Sequence, residues 1–331
     1  MSNRFTALVA DDHDGKVRAE FQTLTLDALP DNDVLVRVGY STLNYKDGLA
    51  VTGKGRICRS LPMVCGIDLA GTVESSRHAD FQPGDRVLVN GYGLSETHWG
   101  GYSQYARLQP EWLVRVPAAF SLEQAMAIGT AGYTAMLCVL AIEDHGIRPE
   151  HGPVLVTGAA GGVGSVAVHL LAQLGYEVEA ASGRAEAIGE FLKDLGATGL
   201  LAREALARDS KPLEKERWAA AVDCVGGQVL ATALAQIRYE GLVAACGLAG
   251  GTGLPTTVMP FILRGVTLRG IDSVMAGRAR RQRAWDRLAE LVDLKTLARI
   301  SHTEPMSKLP ELAEQILAGQ IQGRVVIDVN A

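Results

Sequence analysis

The first third of the chain alternates apolar and polar positions over short runs. FTALVA (5–10), DVLVRVGYS (33–41), DLAGTVESS (68–76), DRVLVNG (85–91) and YSQYARL (102–108) each read as a strand. Glycine or proline separates them, which predicts a compact β-rich unit with turns rather than helical crossovers. At Ser121 the pattern changes. Residues 121–146 read as a helix that starts at Ser121 with Glu123 and Gln124 and breaks between Gly129 and Gly132. From Pro153 short apolar strands alternate with helices. PVLVTG (153–158), YEVEAAS (176–182), WAAAVDCVG (218–226) and GLVAACG (241–247) are the strands. VAVHLLAQLG (166–175), EAIGEFLKDLG (186–196) and VLATALAQI (229–237) are the helices. That alternation predicts a parallel sheet covered on both faces. The remainder reads as a strand at 267–273, a basic helix at 278–294, a helix near 309–318 and a last strand at 323–330, which is expected to return to the first domain.

Composition narrows the class. Lys and Arg number 32 against 37 Asp and Glu, a net charge of −5, so the chain has no general attraction for nucleic acid or an anionic membrane. No stretch of about 18 uncharged apolar residues is seen, and the N-terminus has no signal-peptide run, so a cytoplasmic protein is expected. The five cysteines are scattered and form no CxxC, which points to neither a disulfide framework nor a zinc knuckle.

The strongest local signal is the turn after the strand at 153–158, where Ala160, Gly161, Gly162, Val163 and Gly164 open a helix. Glycines there permit a tight turn and close approach of a pyrophosphate. The helix N-terminus supplies unpaired N–H groups for it. At the end of the next strand stand Ser182, Gly183 and Arg184. An NAD enzyme needs a carboxylate at that place for the ribose hydroxyl. A hydroxyl and a guanidinium suit a 2′-phosphate instead, so NADP(H) is the expected cofactor.

With these residues, GTAGYTA (129–135), GIDLAG (66–71) and PGDRV (83–87) make the chain resemble the medium-chain dehydrogenase/reductase superfamily over nearly its full length. The resemblance implies an α/β protein: a GroES-like β-rich catalytic domain (1–125), a Rossmann NADP-binding domain with a doubly wound parallel sheet (126–270), and a C-terminal segment (271–331) returning to the catalytic domain. It also implies an active site in the cleft between domains and a homodimer. Zinc-dependent members carry a cysteine and a histidine where this chain has Asn44 and Ile67. Isoleucine cannot ligate and an amide is a poor ligand, so a zinc-free enzyme with no metal is expected. The strings LNYKDG (43–48), TGKG (52–55), HWGG (98–101), AACGLAGG (244–251), LPTTVMPFILR (254–264) and IQGR (321–324) resemble the bacterial acrylyl-CoA reductase (NADPH) branch, whose members are also labelled quinone oxidoreductases.

The resemblance implies hydride transfer from NADPH to the C=C bond of a short 2-enoyl-CoA, with NADPH:quinone or general enone reduction as the alternative. Tyr45, Asn44 and Asp68 are the candidate catalytic residues. Tyr45 is expected beside the nicotinamide, either positioning it or relaying a proton. Asn44 is expected to donate to a carbonyl oxygen, and Asp68 to orient its neighbours. Gly247, Leu248 and Ser273 are expected to flank the nicotinamide, with Gln322 and Arg324 closing the cofactor cleft. An acyl-CoA substrate carries phosphates, for which Lys54, Arg56 and Arg59 are candidates. Arg278, Arg280, Arg281 and Arg283 serve either the same purpose or as a solvated basic helix face.

Overall fold

A computed structural model describes residues 4–184 and 186–331. Contacts divide it into two units. The first runs to Thr130 and resumes over Ser273–Ala289 and Asp293–Ala331; the second comprises Ala131–Asp272 and Glu290–Val292.

The first unit opens on a hairpin. Arg4–His13 pairs antiparallel with Lys16–Thr25 across Asp14 and Gly15, both at positive φ. Two central residues at positive φ match the right-handed twist of the flanking strands. The second strand is absent from the sequence reading because none of its residues is buried, so no apolar face marks it. A larger sheet runs in the order Ser301–Pro305, Arg324–Asp328, Val34–Thr42, Asp68–Ser76, Arg86–Asn90, Val114–Arg115, with Tyr105–Leu108 paired to Val34–Thr42. The C-terminal strand Arg324–Asp328 therefore lies in this sheet, Val326 opposite Thr42.

A short helix, Tyr45–Thr52, follows the strand Val34–Thr42 and was not expected. Its signal lies in its ends rather than in periodicity. The Asp47 carboxylate accepts from the Asn44 N–H at 2.9 Å, and Gly53 closes the helix in the left-handed conformation. Gly48 lets it pack closely: a Cβ there would lie 2.7 Å from Ile316 of the helix Leu309–Leu317.

The second unit is a six-stranded parallel sheet in the order Gly199–Ala202, Val178–Ser182, Val154–Thr157, Trp218–Asp223, Ile237–Ala245, Thr267–Gly270. Numbered along the chain this is 3-2-1-4-5-6. The order reverses between Val154–Thr157 and Trp218–Asp223, which opens a crevice at the carboxyl ends of those strands. The central strands are buried on both faces, which is why each reads as a continuous apolar run.

Two expectations need correction. The helix Leu122–Asp144 is long and apolar enough to cross a membrane by length and composition, contrary to the reading that no such stretch exists. Its most apolar window is 94% buried inside the protein, so the hydropathy marks core. The helix starts with the reciprocal Ser121–Gln124 capping pair and is interrupted at Gly129, where φ is 51°. The basic helix Arg278–Leu291 is not a wholly solvated face. Arg281 is 1% exposed, donates to the Asn90 carbonyl at 2.7 Å and lies over the Tyr92 ring at 4.3 Å. Its charge is used inside the first unit, so it meets no CoA phosphate.

Candidate functional site

In the second unit the strand Val154–Thr157 ends in a turn that favours glycine. Gly158 has φ 62° and its carbonyl accepts from Gly161 N–H at 2.9 Å. The helix Gly162–Gln173 follows with Gly161 as its cap. A Cβ on Gly164 would lie 2.3 Å from the Gly158 oxygen and 2.7 Å from the Ala159 Cα. Gly164 therefore sets the approach of helix to turn. Gly161 is exposed and Gly162 and Val163 are half-buried, whereas Ala160 and Gly164 are buried. The first turn of this twelve-residue helix thus carries glycine at Gly162 and Gly164, with Val163 as its one side chain beyond Cα.

The reversal point is held by a pair that sequence reasoning missed. Thr157 Oγ1 donates to Asp223 Oδ1 at 2.7 Å and accepts from Cys224 N–H at 3.1 Å; Asp223 Oδ2 accepts from Gly226 N–H at 2.8 Å. Burial pushes the Asp223 carboxyl up. The only trace in the sequence is a polar residue at the end of each of two apolar strands.

A cavity of about 460 Å³ opens at the same strand ends, lined among others by Thr157, Gly158, Ser182, Gly183, Arg203 and Gly226. Ser182 is buried, and its Oγ accepts from Arg184 N–H at 3.1 Å; the Arg184 side chain is half-buried. Arg203 was also missed. It follows the third strand, Gly199–Ala202, and a Cβ on Gly183 would lie 3.1 Å from its Cζ. The guanidinium thus rests on a glycine and is largely exposed. A basic residue one strand away in space is twenty positions away in sequence. Of the other expected cofactor residues, Gly247 is half-buried and Leu248 is 62% exposed just beyond Ile237–Ala245. Ser273 is half-buried and belongs by its contacts to the first unit.

The first unit contains a buried polar nest. Asp68 opens its strand and is saturated. Oδ2 accepts from Asn44 Nδ2 at 2.9 Å and Thr130 N–H at 3.0 Å; Oδ1 accepts from Asn90 Nδ2 at 2.9 Å and from the Thr130 hydroxyl. The other Asn44 amide contact, at 3.0 Å, goes to Asp47 Oδ2, and Asp47 Oδ1 accepts from Ile67 N–H. Both amide hydrogens of Asn44 are therefore committed to carboxylates. Asn44 presents no donor to a substrate carbonyl in this conformation, a correction to its expected role. Arg324 is corrected too. It is 2% exposed, donating to Thr42 Oγ1 at 2.7 Å and the Ala127 carbonyl at 3.1 Å, and so holds the nest rather than closing over a cofactor. Gln322, two residues earlier, is exposed. Asp68 and Asn44 orient one another, and Asn44 caps the helix that Tyr45 opens; Tyr45 is 47% exposed. Gly101 of the HWGG string serves this nest: a Cβ there would lie 2.0 Å from the Asp68 carbonyl.

Burial, and then the neighbouring Asp68, push the Asp47 carboxyl from 3.8 up to about 7. The folded protein keeps this proton after the unfolded chain has lost it. The stabilisation is complete below about pH 4 and is lost as pH rises through 7. Asp47→Asn cannot titrate there. The stability difference between wild type and variant should therefore move in the variant's favour by a few kcal/mol, to order of magnitude, between pH 5 and pH 8. Thermal midpoints at the two pH values measure it, and a gap independent of pH contradicts the assignment.

Ile67, where zinc enzymes carry a histidine, is 5% exposed, and among the described residues no group of three His, Cys, Asp or Glu side chains is placed to hold a metal. In the basic run, Lys54 contacts Glu314, Arg59 lies 3.9 Å from Glu96, and Arg56 is exposed.

A 3-2-1-4-5-6 parallel sheet with a glycine turn at its reversal point is a dinucleotide-binding unit, here on the same chain as a mainly antiparallel unit with a buried polar nest. Sequence comparison agrees. Residues 30–118 match the alcohol dehydrogenase GroES-like domain and residues 162–291 the family described as zinc-binding dehydrogenase. Acrylyl-CoA reductase AcuI of Ruegeria pomeroyi is 54% identical over 330 residues, covering 99% of this chain and 100% of that one. YhfP of Bacillus subtilis, which bears a provisional quinone oxidoreductase name, is 44% identical over 99% of each; its crystal structure with NAD bound superposes with a TM-score of 0.95 and covers 99% of this chain and 100% of that one. The yhdH oxidoreductase of Salmonella enterica, crystallised with NADP, is 52% identical, covers 98% of this chain and 99% of that one, and superposes with a TM-score of 0.96. The chain belongs to the medium-chain dehydrogenase/reductase family, in the branch that contains these three proteins.

Proposed function

We propose that this protein reduces the C=C bond of a short 2-enoyl-CoA, acrylyl-CoA foremost, with NADPH. The observation that carries the cofactor choice is the end of the second parallel strand. Ser182, Gly183 and Arg184 stand there with Arg203 beside them; the strand end itself carries no carboxylate, and the Glu204 carboxylate lies 3.8 Å from the Arg203 guanidinium. The turn at Gly158 and Gly164 fits a pyrophosphate because neither position has room or φ for a side chain. NADPH bound there supplies a hydride to the β-carbon. Negative charge then grows on the thioester oxygen, and the α-carbon needs a proton. The exposed Tyr45 phenol is the group we assign to that charge or proton, with Asn44, the cap of its helix, and Asp68 as positioning residues. Whole-length identity to AcuI supports the substrate. The relation to YhfP supports quinone reduction as the second reading.

The chain's own residues also support a homodimer. Thr267–Gly270 is the edge strand of the parallel sheet, and Val258, Ile262 and Leu263 at the neighbouring helix are exposed. An unpaired edge beside exposed apolar side chains suits a second copy. Five free thiols support a reducing compartment, in keeping with the cytoplasm.

Deuterated NADPH tests the reaction. Propanoyl-CoA should carry the label on its β-carbon. Tyr45→Phe should lower kcat about 10- to 100-fold while NADPH affinity stays within about twofold. Unlabelled product, or no CoA ester product, overturns the reading; an unchanged kcat removes Tyr45 from the chemistry.

A further inference from the structure

Cys224 and Cys246 directly follow the strands Trp218–Asp223 and Ile237–Ala245, which run parallel with Asp223 opposite Ala245. One more step of that register sets the two cysteines opposite each other. Their Sγ atoms are 3.8 Å apart and both residues are half-buried. Neighbouring strands lie ~4.8 Å apart, inside the ~4.4–6.8 Å Cα separation that a disulfide spans. The sulfurs need only close from 3.8 Å to about 2.05 Å, with no change of register.

The pair is built into the glycine turn. The Cys224 Cβ lies 3.3 Å from where a Gly158 side chain would begin, and a Cβ on Gly247 would lie 2.2 Å from the Cys224 carbonyl. Cys224 N–H also holds the Thr157 hydroxyl. Hydrogen bonds from Cys138 and Cys224 hold the Cys246 thiol below its ordinary range, while its bond to Cys246 and burial push Cys224 up. Cys246 thus ionises more readily than Cys224, and as a thiol it donates to the Asp223 carbonyl at 3.4 Å.

We propose that Cys224 and Cys246 are an oxidisable dithiol that a small hydroperoxide converts to a disulfide, weakening dinucleotide binding at the adjoining turn. The second half rests on the NADPH reading above; the first does not. In the first step the Cys246 thiolate attacks the peroxide O–O bond, giving a sulfenic acid and releasing hydroxide. In the second, the Cys224 sulfur attacks the sulfenic sulfur and the hydroxyl leaves as water with the Cys224 proton. Two thiols and one hydrogen peroxide become one disulfide and two waters. Fixing the Cys224 side chain in the bond acts on the turn through the Cys224 contacts with Thr157 and Gly158.

The test treats the reduced full-length protein with hydrogen peroxide, alkylates the remaining thiols and maps the peptides by mass. Two of the five thiols should be lost. The linked Cys224 and Cys246 peptides should be lighter by about 2 Da, and NADPH binding followed by fluorescence should weaken about tenfold and return with dithiothreitol. Cys224→Ser should lose the link and gain oxygen at Cys246. Alkylatable Cys224 and Cys246 after treatment, oxygen adducts without a link in the wild type, or linkage elsewhere overturns the dithiol. A linked protein with unchanged NADPH affinity overturns the coupling to the turn. Reduced protein that binds no NADPH sinks the cofactor reading and leaves the dithiol standing.

Discussion

Gly164→Ala should cost both stability and cofactor. Its new Cβ would sit 2.3 Å from the Gly158 carbonyl and 2.7 Å from the Ala159 Cα, both backbone atoms that cannot rotate away. Overpacking of this kind costs about 1–3 kcal/mol. The helix must back off from the turn, and its first N–H groups move with it. NADPH affinity should fall on the order of a hundredfold, together with the thermal midpoint. Gly161→Ala separates the two effects. Gly161 has φ −81°, which any residue adopts, and its Cβ would meet only the Gly158 oxygen at 3.3 Å. That variant should keep its midpoint and lose affinity alone, because the methyl group enters the surface meant for phosphate. A Gly164→Ala protein that binds NADPH like wild type would remove the turn from the cofactor site.

Neutralising the two guanidiniums at the second strand should erase the preference for NADPH over NADH. Arg184 and Arg203 have no assigned role in NADH binding, since NADH has no 2′-phosphate. A hydrogen bond to a charged group is worth about 1.5–3 kcal/mol. Arg184→Ala with Arg203→Ala should therefore raise the NADPH Kd roughly 100- to 1,000-fold and change the NADH Kd within about threefold. Wild-type affinity for NADPH should also weaken with salt more steeply than the variant's. YhfP crystallised with NAD, so a family member accommodates the other dinucleotide. Equal losses for both cofactors in the variant would mean that the arginines support the fold.

What the sequence disclosed follows from how each element is buried. VLVT and AAAVD are covered on both faces and punctuated by glycine, so the parallel sheet and the glycine turn were legible. Lys16–Thr25 has no buried residue to create a pattern, although the Asp14–Gly15 pair before it is a hairpin signal that went unused. Tyr45–Thr52 is set by its caps and by Gly48, neither of which is periodic. At the site, Ser182 and Arg184 were readable because they adjoin a strand that was itself readable. Arg203 was not, because strand order in space brings it there. Asp68 was found both by position and as the residue that orients its neighbours, whereas Asn44 was found by position but not by its chemistry. Only coordinates reveal that both amide hydrogens of Asn44 are taken and that Asp68 already accepts four hydrogen bonds. Arg324 and Arg281 defeat sequence reasoning most directly, since arginine is almost always at the surface and both are buried here.

The most direct test is NADPH consumption by the purified protein with acrylyl-CoA, benzoquinone and acrolein side by side. An enoyl-CoA reductase should give kcat/KM for acrylyl-CoA at least about a hundredfold above either CoA-free compound. A brisk benzoquinone reaction with no turnover of acrylyl-CoA would contradict that function and leave quinone reduction as the activity of this fold.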